Sequence, residues 1–480
     1  MSLVHLVASD IQQAIKRFEL FHQRFAHYFS TKTRNMADTA KQYMQGQLQY
    51  LRWGNMVQYE KVVPDSNNQS LQHFASNSPW NDEPVLDDVS QTVSGHIGDE
   101  QHGCIHIDES GFPKQGKDSV GVSRQYCGRL GKVDNCQVGV FLGYTSYNRR
   151  ILLDERLYLP EEWINDNERR KKCGVPENIV FQTKAQLGLE LIHKAQERKI
   201  PFGWIGMDSH YGQQPLFFRY SAEREWLLDE LESQNLIYIA DVPCDSRAWL
   251  ELPLSFRRVT EEQKTGVPLR NGDIGRKPTK LKAKEQPVEA RQLASQLDRS
   301  QWNRMYIRDT ERGQLWSLLA FLRVYPVVDE LPGKEIWLIL RKDEREQKLK
   351  YQYCNAPSDT PIERLAEMSH SRYWIERAIQ DAKGEAGLDE YELRSWRGWH
   401  HHMTMTILSM LFLLELQMDW KSKAPELTLQ DVREILEVIL PKREMNPDEI
   451  LKLIEQKHKA KLSARRSKQR KYETRHKNLI

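Results

Sequence analysis

The chain has few cysteines and no C-x-x-C pair: the six, at positions 104, 127, 136, 173, 244 and 354, are scattered along 480 residues. A structural zinc site or a disulfide framework is therefore not expected, and a reducing compartment suits the chain. Long apolar runs are missing too. The most apolar segment, Met405–Leu416, is too short to span a bilayer and reads as a buried helix, so no membrane association is expected. The opening residues, MSLVHLVASDIQQAIKRF, lack the basic start and long apolar stretch of a signal peptide, which makes a cytoplasmic protein the expectation. No internal repeat, P-loop or dinucleotide-binding glycine fingerprint is present. Nor is there a large excess of charge of one sign, the formal net charge being +3.

What is present is length, aromatic content and an uneven distribution of charge. The chain has room for two to four domains, and its 13 Trp, 18 Tyr and 14 Phe are too many for a disordered protein. Ten of the 70 Lys and Arg fall between Lys457 and Ile480 beside a single acid, Glu473, leaving the preceding chain with a net charge of −6. A basic tail on a slightly acidic body fits contact with a polyanion, most simply nucleic acid. A solvated tail is the plainer alternative.

Residues 1 to about 98 read as helical: Ile11–Phe29 and Asp38–Leu51 carry apolar residues at helical spacing, Asp10 is a candidate cap, and Ser66–Ser70 and Asn77–Asp88 read as polar connections. From Cys104 the pattern changes. Cys104–Asp108 (CIHID) is an apolar run ending in an acid, followed by turn chemistry in Glu109–Pro113. Ser119–Arg124, Gln137–Thr145 and Arg149–Leu159 read as strands, and Thr183–Lys199 as an amphipathic helix. Gly203–Asp208 (GWIGMD) is a second apolar run ending in an acid, Ser221–Gln234 a helix, and Leu236–Asp241 (LIYIAD) a buried strand. Antiparallel strands, a helix, then parallel strands alternating with helices predict an α/β, ribonuclease-H-like core. In that architecture acids at the ends of the first and fourth strands meet at one sheet edge; here they are Asp108 and Asp208. Each alone is compatible with a turn or cap role.

Residues 246–368 contain a basic, Gly- and Pro-rich stretch, Thr260–Gln292, and then three strand-length runs, Leu315–Val324, Glu335–Arg341 and Lys350–Asn355. A β-rich domain inserted into the core is the simplest account. Beyond it, Ser371–Gly384 reads as one helix with Arg372, Glu376 and Lys383 within about 40° of one another around its axis. Such a stripe is compatible with an ordinary solvated ion-pair face. His400, His401 and His402 are adjacent on the next helix and point in different directions, so they do not share a metal. Leu427–Leu440 and Pro447–Gln456 read as amphipathic helices leading into the basic tail. The expected divisions are 1–98, helical and DNA-binding; 99–245, first part of the core; 246–368, insertion; 369–425, second part of the core; and 426–480, C-terminal helices and tail.

With Arg372, Glu376 and Lys383 in RYWIERAIQDAK, the chain resembles the DDE transposases of bacterial insertion sequences, in the group with a Y-(2)-R-(3)-E-(6)-K signature and a β-rich insertion. The Tyr position falls on Ser369, a departure from the pattern; Tyr373 stands nearby. The stretches IDESGFPKQGKDSVGVSRQYCGRLGKVDNCQVGV and GMDSHYG are similar to the family segments carrying the first and second Asp, and the likeness extends to about residue 416. The resemblance implies Asp108, Asp208 and Glu376 as catalytic metal ligands. Three carboxylates without His or Cys suit a hard cation, Mg²⁺ or Mn²⁺, and two such ions about 3.5–4 Å apart can drive phosphodiester displacement. Arg372 and Lys383 would hold phosphate oxygens, with Lys114, Lys117 and Arg124 tracking the DNA backbone. The implied partner is double-stranded DNA, as terminal inverted repeats and as target. The expected working form is a dimer on DNA, near the nucleoid. Two rivals are a transposase-derived DNA-binding protein that no longer cuts, and a ribonuclease-H-like nuclease without strand transfer.

Overall fold

The computed structural model describes residues 5–32, 34–49, 54–213, 227–259, 280–310, 313–344, 348–444 and 446–477. Its strands are β1 (Gly103–Pro113), β2 (Ser123–Cys127), β3 (Lys132–Ser146), β4 (Arg149–Leu157), β5 (Trp204–Met207), β6 (Tyr238–Val242), β7 (Arg247–Trp249), β8 (Phe256–Val259), β9 (Lys280–Ala283) and β10 (Val288–Glu289), followed by β11 (Asn303–Thr310), β12 (Gly313–Val328), β13 (Leu331–Pro332), β14 (Ile336–Asp343) and β15 (Leu349–Cys354). Thirteen of them form one mixed sheet, and β8 and β9 form a separate pair.

The part of this sheet that matters for the site is β4-β3-β1-β5-β6. β1, β3 and β4 are an antiparallel meander, and β5 and β6 then add in parallel to β1. A two-residue turn joins β3 to β4 and β2 intervenes between β1 and β3, while the parallel steps need crossovers: helix Lys184–Glu197 before β5 and helix Leu227–Ser233 before β6. Thr183 opens the first of these helices with a capping box, its side chain accepting from Gln186 N at 3.2 Å.

Successive residues of β1 face opposite sides of the sheet. Ile107 looks toward helix Lys184–Glu197, where a Cβ on Gly188 would lie 3.0 Å from Ile107 Cγ2. The opposite face is covered by helix Tyr373–Ala386. That helix sits directly on β3, because Gly143 has no side chain: a Cβ there would meet Ile375 Cδ1 at 2.2 Å. Ile375, Ala378, Ile379, Ala382 and Ala386 form its buried side, and Gly387 ends it with φ +68°, a left-handed conformation that glycine adopts without strain. Its outer edge is pinned by the buried Asp381, held by Arg150 Nη2 at 2.6 Å from β4 and by Arg377 Nε at 3.0 Å.

The long helix Trp396–Trp420 is buried over most of its circumference. N-terminal helices Ala8–Phe25, Ala37–Gln49, Asn68–Ser76 and Glu83–Ile97 pack around it, and one continuous apolar cluster runs from Ala14 to Leu440. Polar links fix their register: Tyr43 meets His402 Nδ1 at 2.7 Å and Gln47 Nε2 donates to Thr406 Oγ1 at 2.8 Å. His401 is held between the Ala75 and Trp80 carbonyls, and His400 meets Glu155 Oε1 at 2.6 Å. The three adjacent imidazoles thus have three separate sets of partners, as their angular spacing requires.

Several elements differ from the sequence reading, each for a local reason. β1 does not stop at Asp108: it loses β5 after Ile107 but keeps β3 as partner as far as Pro113. Ser119–Arg124 is largely turn, and the strand starts at Ser123. The supposed loop at Ser66–Ser70 contains a helix start, with Asn67 Oδ1 accepting from Gln69 N and Ser70 N, and helix Glu83–Ile97 takes up half of the second polar stretch. Ser371–Gly384 is not one helix: helices Ile362–Ser371 and Tyr373–Ala386 meet at Arg372, and Gly384 lies inside the second. The strands of 246–368 extend the main sheet, since β15 pairs with β6, although their inner side has its own apolar cluster around Val324, Leu338 and Leu340. The basic tail continues as one helix, Pro447–Lys477, exposed over residues 457–470. Most of the basic stretch Thr260–Gln292, and the first six residues of the expected helix Ser221–Gln234, lie outside the described residues.

Two stability predictions follow from this packing. Gly143→Val drives two methyl groups into Ile375 and should lower stability by about 1–3 kcal/mol, read as a lower urea midpoint at unchanged slope; an unchanged midpoint would show that the helix does not depend on this contact. Burial brings His401 and His402 down to about 4, whereas unfolded histidine titrates near 6.5. The folded state therefore resists protonation that the unfolded chain accepts, so this stability is present above pH 6.5 and is lost as pH falls through about 4. Between pH 7 and pH 5 the urea midpoint of the parent should fall by more than that of a His402→Gln variant, a comparison in which the other titrating groups cancel; equal falls would contradict the burial of the pair.

Candidate active site

The parallel register creates one row of acids. Ile107 pairs with Met207, and Met207 with Ala240. The next residue on each strand is Asp108, Asp208 and Asp241, three carboxylates at one sheet edge on strands about 4.8 Å apart. Asp241 in turn pairs with Gln352 of β15. Asp208 lies just past the end of β5 and closes its own loop, Oδ1 accepting from His210 N at 2.9 Å and Tyr211 N at 3.3 Å. Asp108 is buried and its Oδ1 accepts from Glu109 N at 2.7 Å. Glu109 turns to the other face, where its carboxylate meets Lys184 Nζ at 2.6 Å.

Arg372 enters this row from the joint between two helices. Its Nη1 donates to Asp241 Oδ2 at 3.1 Å and its Nη2 lies 2.9 Å from Glu376 Oε1. Glu376, one turn further along, is about half exposed, its side chain keeping 53% of its accessible surface. Lys383 follows two turns later, half-buried, with Nζ 5.6 Å from the centre of the Phe112 ring. Arg372, Glu376 and Lys383 thus share one side of the structure, as their spacing predicts.

The charges are strongly coupled. Burial pushes the Asp108 carboxyl up to about 7; Arg372 opposes the rise, and Asp208 and Glu376 add to it. Burial likewise raises Asp208, again against Arg372. For Arg372 burial works against the charge, but Asp108, Asp241, Glu376 and Asp208 more than offset it and hold the guanidinium above its ordinary value. Burial lowers Lys383, with Asp389 opposing. Two desolvated carboxyls side by side with one shared cation form a site short of positive charge. The donors are all oxygens, which suits a hard divalent cation. Among the described residues no three His, Cys, Asp or Glu side chains are grouped closely enough to hold a metal ion as they stand. Glu376 is engaged with Arg372 instead, and its exposure leaves it room to turn.

The remaining residues singled out from sequence lie elsewhere. Lys114 Nζ donates to the Tyr391 carbonyl at 3.0 Å and lies 3.5 Å from the centre of its ring, and burial brings it down to about 8. Lys117 and Arg124 are exposed, on the β1–β2 connection and on β2. Tyr373 is exposed with Arg308 Cζ 4.2 Å over its ring. The sequence reading does not include Asp241 among the site residues, although LIYIAD carries the same signal as CIHID and GWIGMD: an apolar strand closing on an acid.

Comparison with known proteins identifies the family. A 27% identical relative, described as a probable transposase for insertion sequence element IS701 from Microchaete diplosiphon, aligns over 353 residues, 72% of this chain and 73% of the relative. The model of the DDE superfamily endonuclease family matches residues 24–314, well over half of the chain and inclusive of Asp108, Asp208 and Asp241. The chain belongs to the DDE superfamily of endonucleases.

Proposed function

We propose that the chain is an insertion-sequence transposase that cleaves DNA at the ends of its element and joins the freed end to target DNA. The observation that carries this reading is the row Asp108–Asp208 where the parallel pairing of β1 and β5 ends, with Glu376 linked to the same place through Arg372. Family membership and the printed role of the relative support it. The meander β4-β3-β1 followed by parallel β5 and β6 is read as a ribonuclease-H-like core. Residues 246–368 are read as an insertion that adds strands to its edge.

Asp108, Asp208 and Glu376 would hold the metal ions, with Asp108, the most buried of the three, placed to be shared between two. Two divalent cations, when bound, supply the charge that activates an attacking oxygen and steadies the leaving one in an in-line displacement. The chain's own part is to place the DNA. Arg372 offers a planar fork to phosphate oxygens and Lys383 a point charge desolvated beside Phe112. Lys117 and Arg124, both exposed, and the basic helix Pro447–Lys477 supply backbone contacts further out. Water is the first nucleophile and frees a 3′-hydroxyl; that hydroxyl then attacks target DNA. A dimer on paired DNA ends is the working form.

Mg²⁺-dependent cleavage of DNA carrying the inverted repeats that flank the gene tests the reading. Asp108→Ala, Asp208→Ala and Glu376→Ala should each slow cleavage by at least about 100-fold while DNA binding persists, and a joined donor–target product should form with the parent. Cleavage by the variants at the parent rate would refute the site, and cleavage without joining would favour the simple nuclease. A second prediction needs no DNA. Because folding holds the Asp108 carboxyl near 7, its charge destabilises the metal-free fold above that pH. Asp108→Asn should therefore stabilise the metal-free protein at pH 8 by about 1 kcal/mol or more, and Mn²⁺ should raise the melting temperature of the parent but not of the variant. A variant less stable than the parent in chelator would contradict the electrostatic account.

A further inference from the structure

Arg372 has two carboxylate partners, and they are unlike each other. Glu376 is about half exposed and sits one helical turn further along, with room to swing. Asp241 is half-buried and is fixed from behind. Gln352, 2% exposed, donates Nε2 to Asp241 Oδ1 at 2.8 Å, which leaves Oδ2 for Arg372 at 3.1 Å. The Gln352 amide has only one sensible orientation. Its Nε2 also donates to the Ser369 carbonyl at 3.1 Å, and its Oε1 accepts from the Ser369 hydroxyl. Reversing the amide would set its oxygen against both the Asp241 carboxylate and that carbonyl. Arg341 Nη1 donates to the same carbonyl and holds it in place. Ser369 is fully buried, so the residue standing at the signature Tyr position turns its hydroxyl inward to this chain of bonds.

We propose that Asp241 is the positioning residue of the metal site: it keeps Arg372 in place when Glu376 turns to the divalent cation, with Ser369 and Gln352 fixing its carboxylate. The inference rests on the reading of Asp108, Asp208 and Glu376 as metal ligands. One guanidinium is shared by two carboxylates, one of which the cation also needs. While Asp241 takes half of the guanidinium, Arg372 offers Glu376 a single contact. If the carboxylate of Asp241 is neutralised, the guanidinium closes on Glu376 with both of its edge nitrogens, the strong bidentate geometry, and Glu376 is harder to recruit. Asp241 then acts on metal affinity without touching the metal, as supporting partners of metal ligands do.

The test is Mn²⁺ binding by the full-length, DNA-free protein, followed by electron paramagnetic resonance of the free ion. Asp241→Asn should weaken binding by roughly tenfold or more, and Gln352→Met, which leaves the Asp241 charge but frees its carboxylate to rotate, should shift it less in the same direction. Adding Arg372→Ala to Asp241→Asn should restore parental affinity, because the competitor for Glu376 is gone. A purely structural role for Asp241 would leave the double variant as weak as the single one, and that result would overturn the proposal. Parental affinity in Asp241→Asn, with binding lost in Asp108→Asn, would also overturn it and leave the metal site standing. Parental affinity in Asp108→Asn as well would overturn the metal site and this inference together. Should Asp241→Asn not fold, Gln352→Met with and without Arg372→Ala decides the same question.

Discussion

Four carboxylates around one guanidinium are the constraint on which the site depends. Asp108, Asp208, Asp241 and Glu376 all act on Arg372, while burial pushes Asp108 up to about 7 and raises Asp208 as well. A fold selected for stability alone would not place two desolvated acids side by side where one guanidinium is shared among four carboxylates. The arrangement makes sense as a receptor for added positive charge, and the oxygen-only donor set narrows that charge to a hard cation.

The rest of the architecture serves to bring these groups together. Parallel pairing of β1, β5 and β6 sets three acids in register at one edge, and the antiparallel β15 adds Gln352 to the same row. Gly143 lets helix Tyr373–Ala386 lie close on β3, and Asp381 ties its outer side to β4 through Arg150. The N-terminal helices, far along the chain from that helix, stand around Trp396–Trp420 and complete its burial. They are bound to the sheet by the buried Asp154, which Arg198 Nη1 approaches to 2.6 Å while Arg198 Nε reaches Asp87 at 2.7 Å. Breaking such a buried pair leaves an uncompensated charge, so helix Glu83–Ile97, which brings Asp87, belongs to the same cooperative unit as the site.

Much of this was legible in the chain. An apolar run that closes on an acid is a local signal, so Asp108 and Asp208 stood out, and the angular spacing of Arg372, Glu376 and Lys383 survived the break in their helix. That break was not legible, because neither proline nor glycine marks it and both halves have helical periodicity. Asp241 carried the right local signal, but whether it shares a row with the other acids depends on the pairing of β6 with β5, a non-local choice of register. The direction of the Ser369 hydroxyl depends likewise on Gln352, which a different strand supplies. Helix Pro447–Lys477 was read only in its first part, since beyond Gln456 it is polar all round and lacks the apolar stripe on which helix recognition relies. Three strands after residue 300, β12, β14 and β15, lie close to their expected positions, while β11 (Asn303–Thr310) is not marked by an apolar run; nothing within any of them tells that they continue the core sheet through β15 and β6.

The central claim is that Asp108, Asp208 and Glu376 converge on divalent cations while Arg372 stays with Asp241. Anomalous scattering from crystals of the protein with Mn²⁺ and a DNA end reads this directly. The account predicts manganese peaks within ligating distance of all three carboxylates, with the Arg372–Asp241 contact kept and the Arg372–Glu376 contact broken. Manganese bound elsewhere, or bound at Asp108 and Asp208 with Glu376 still held by Arg372, would contradict it.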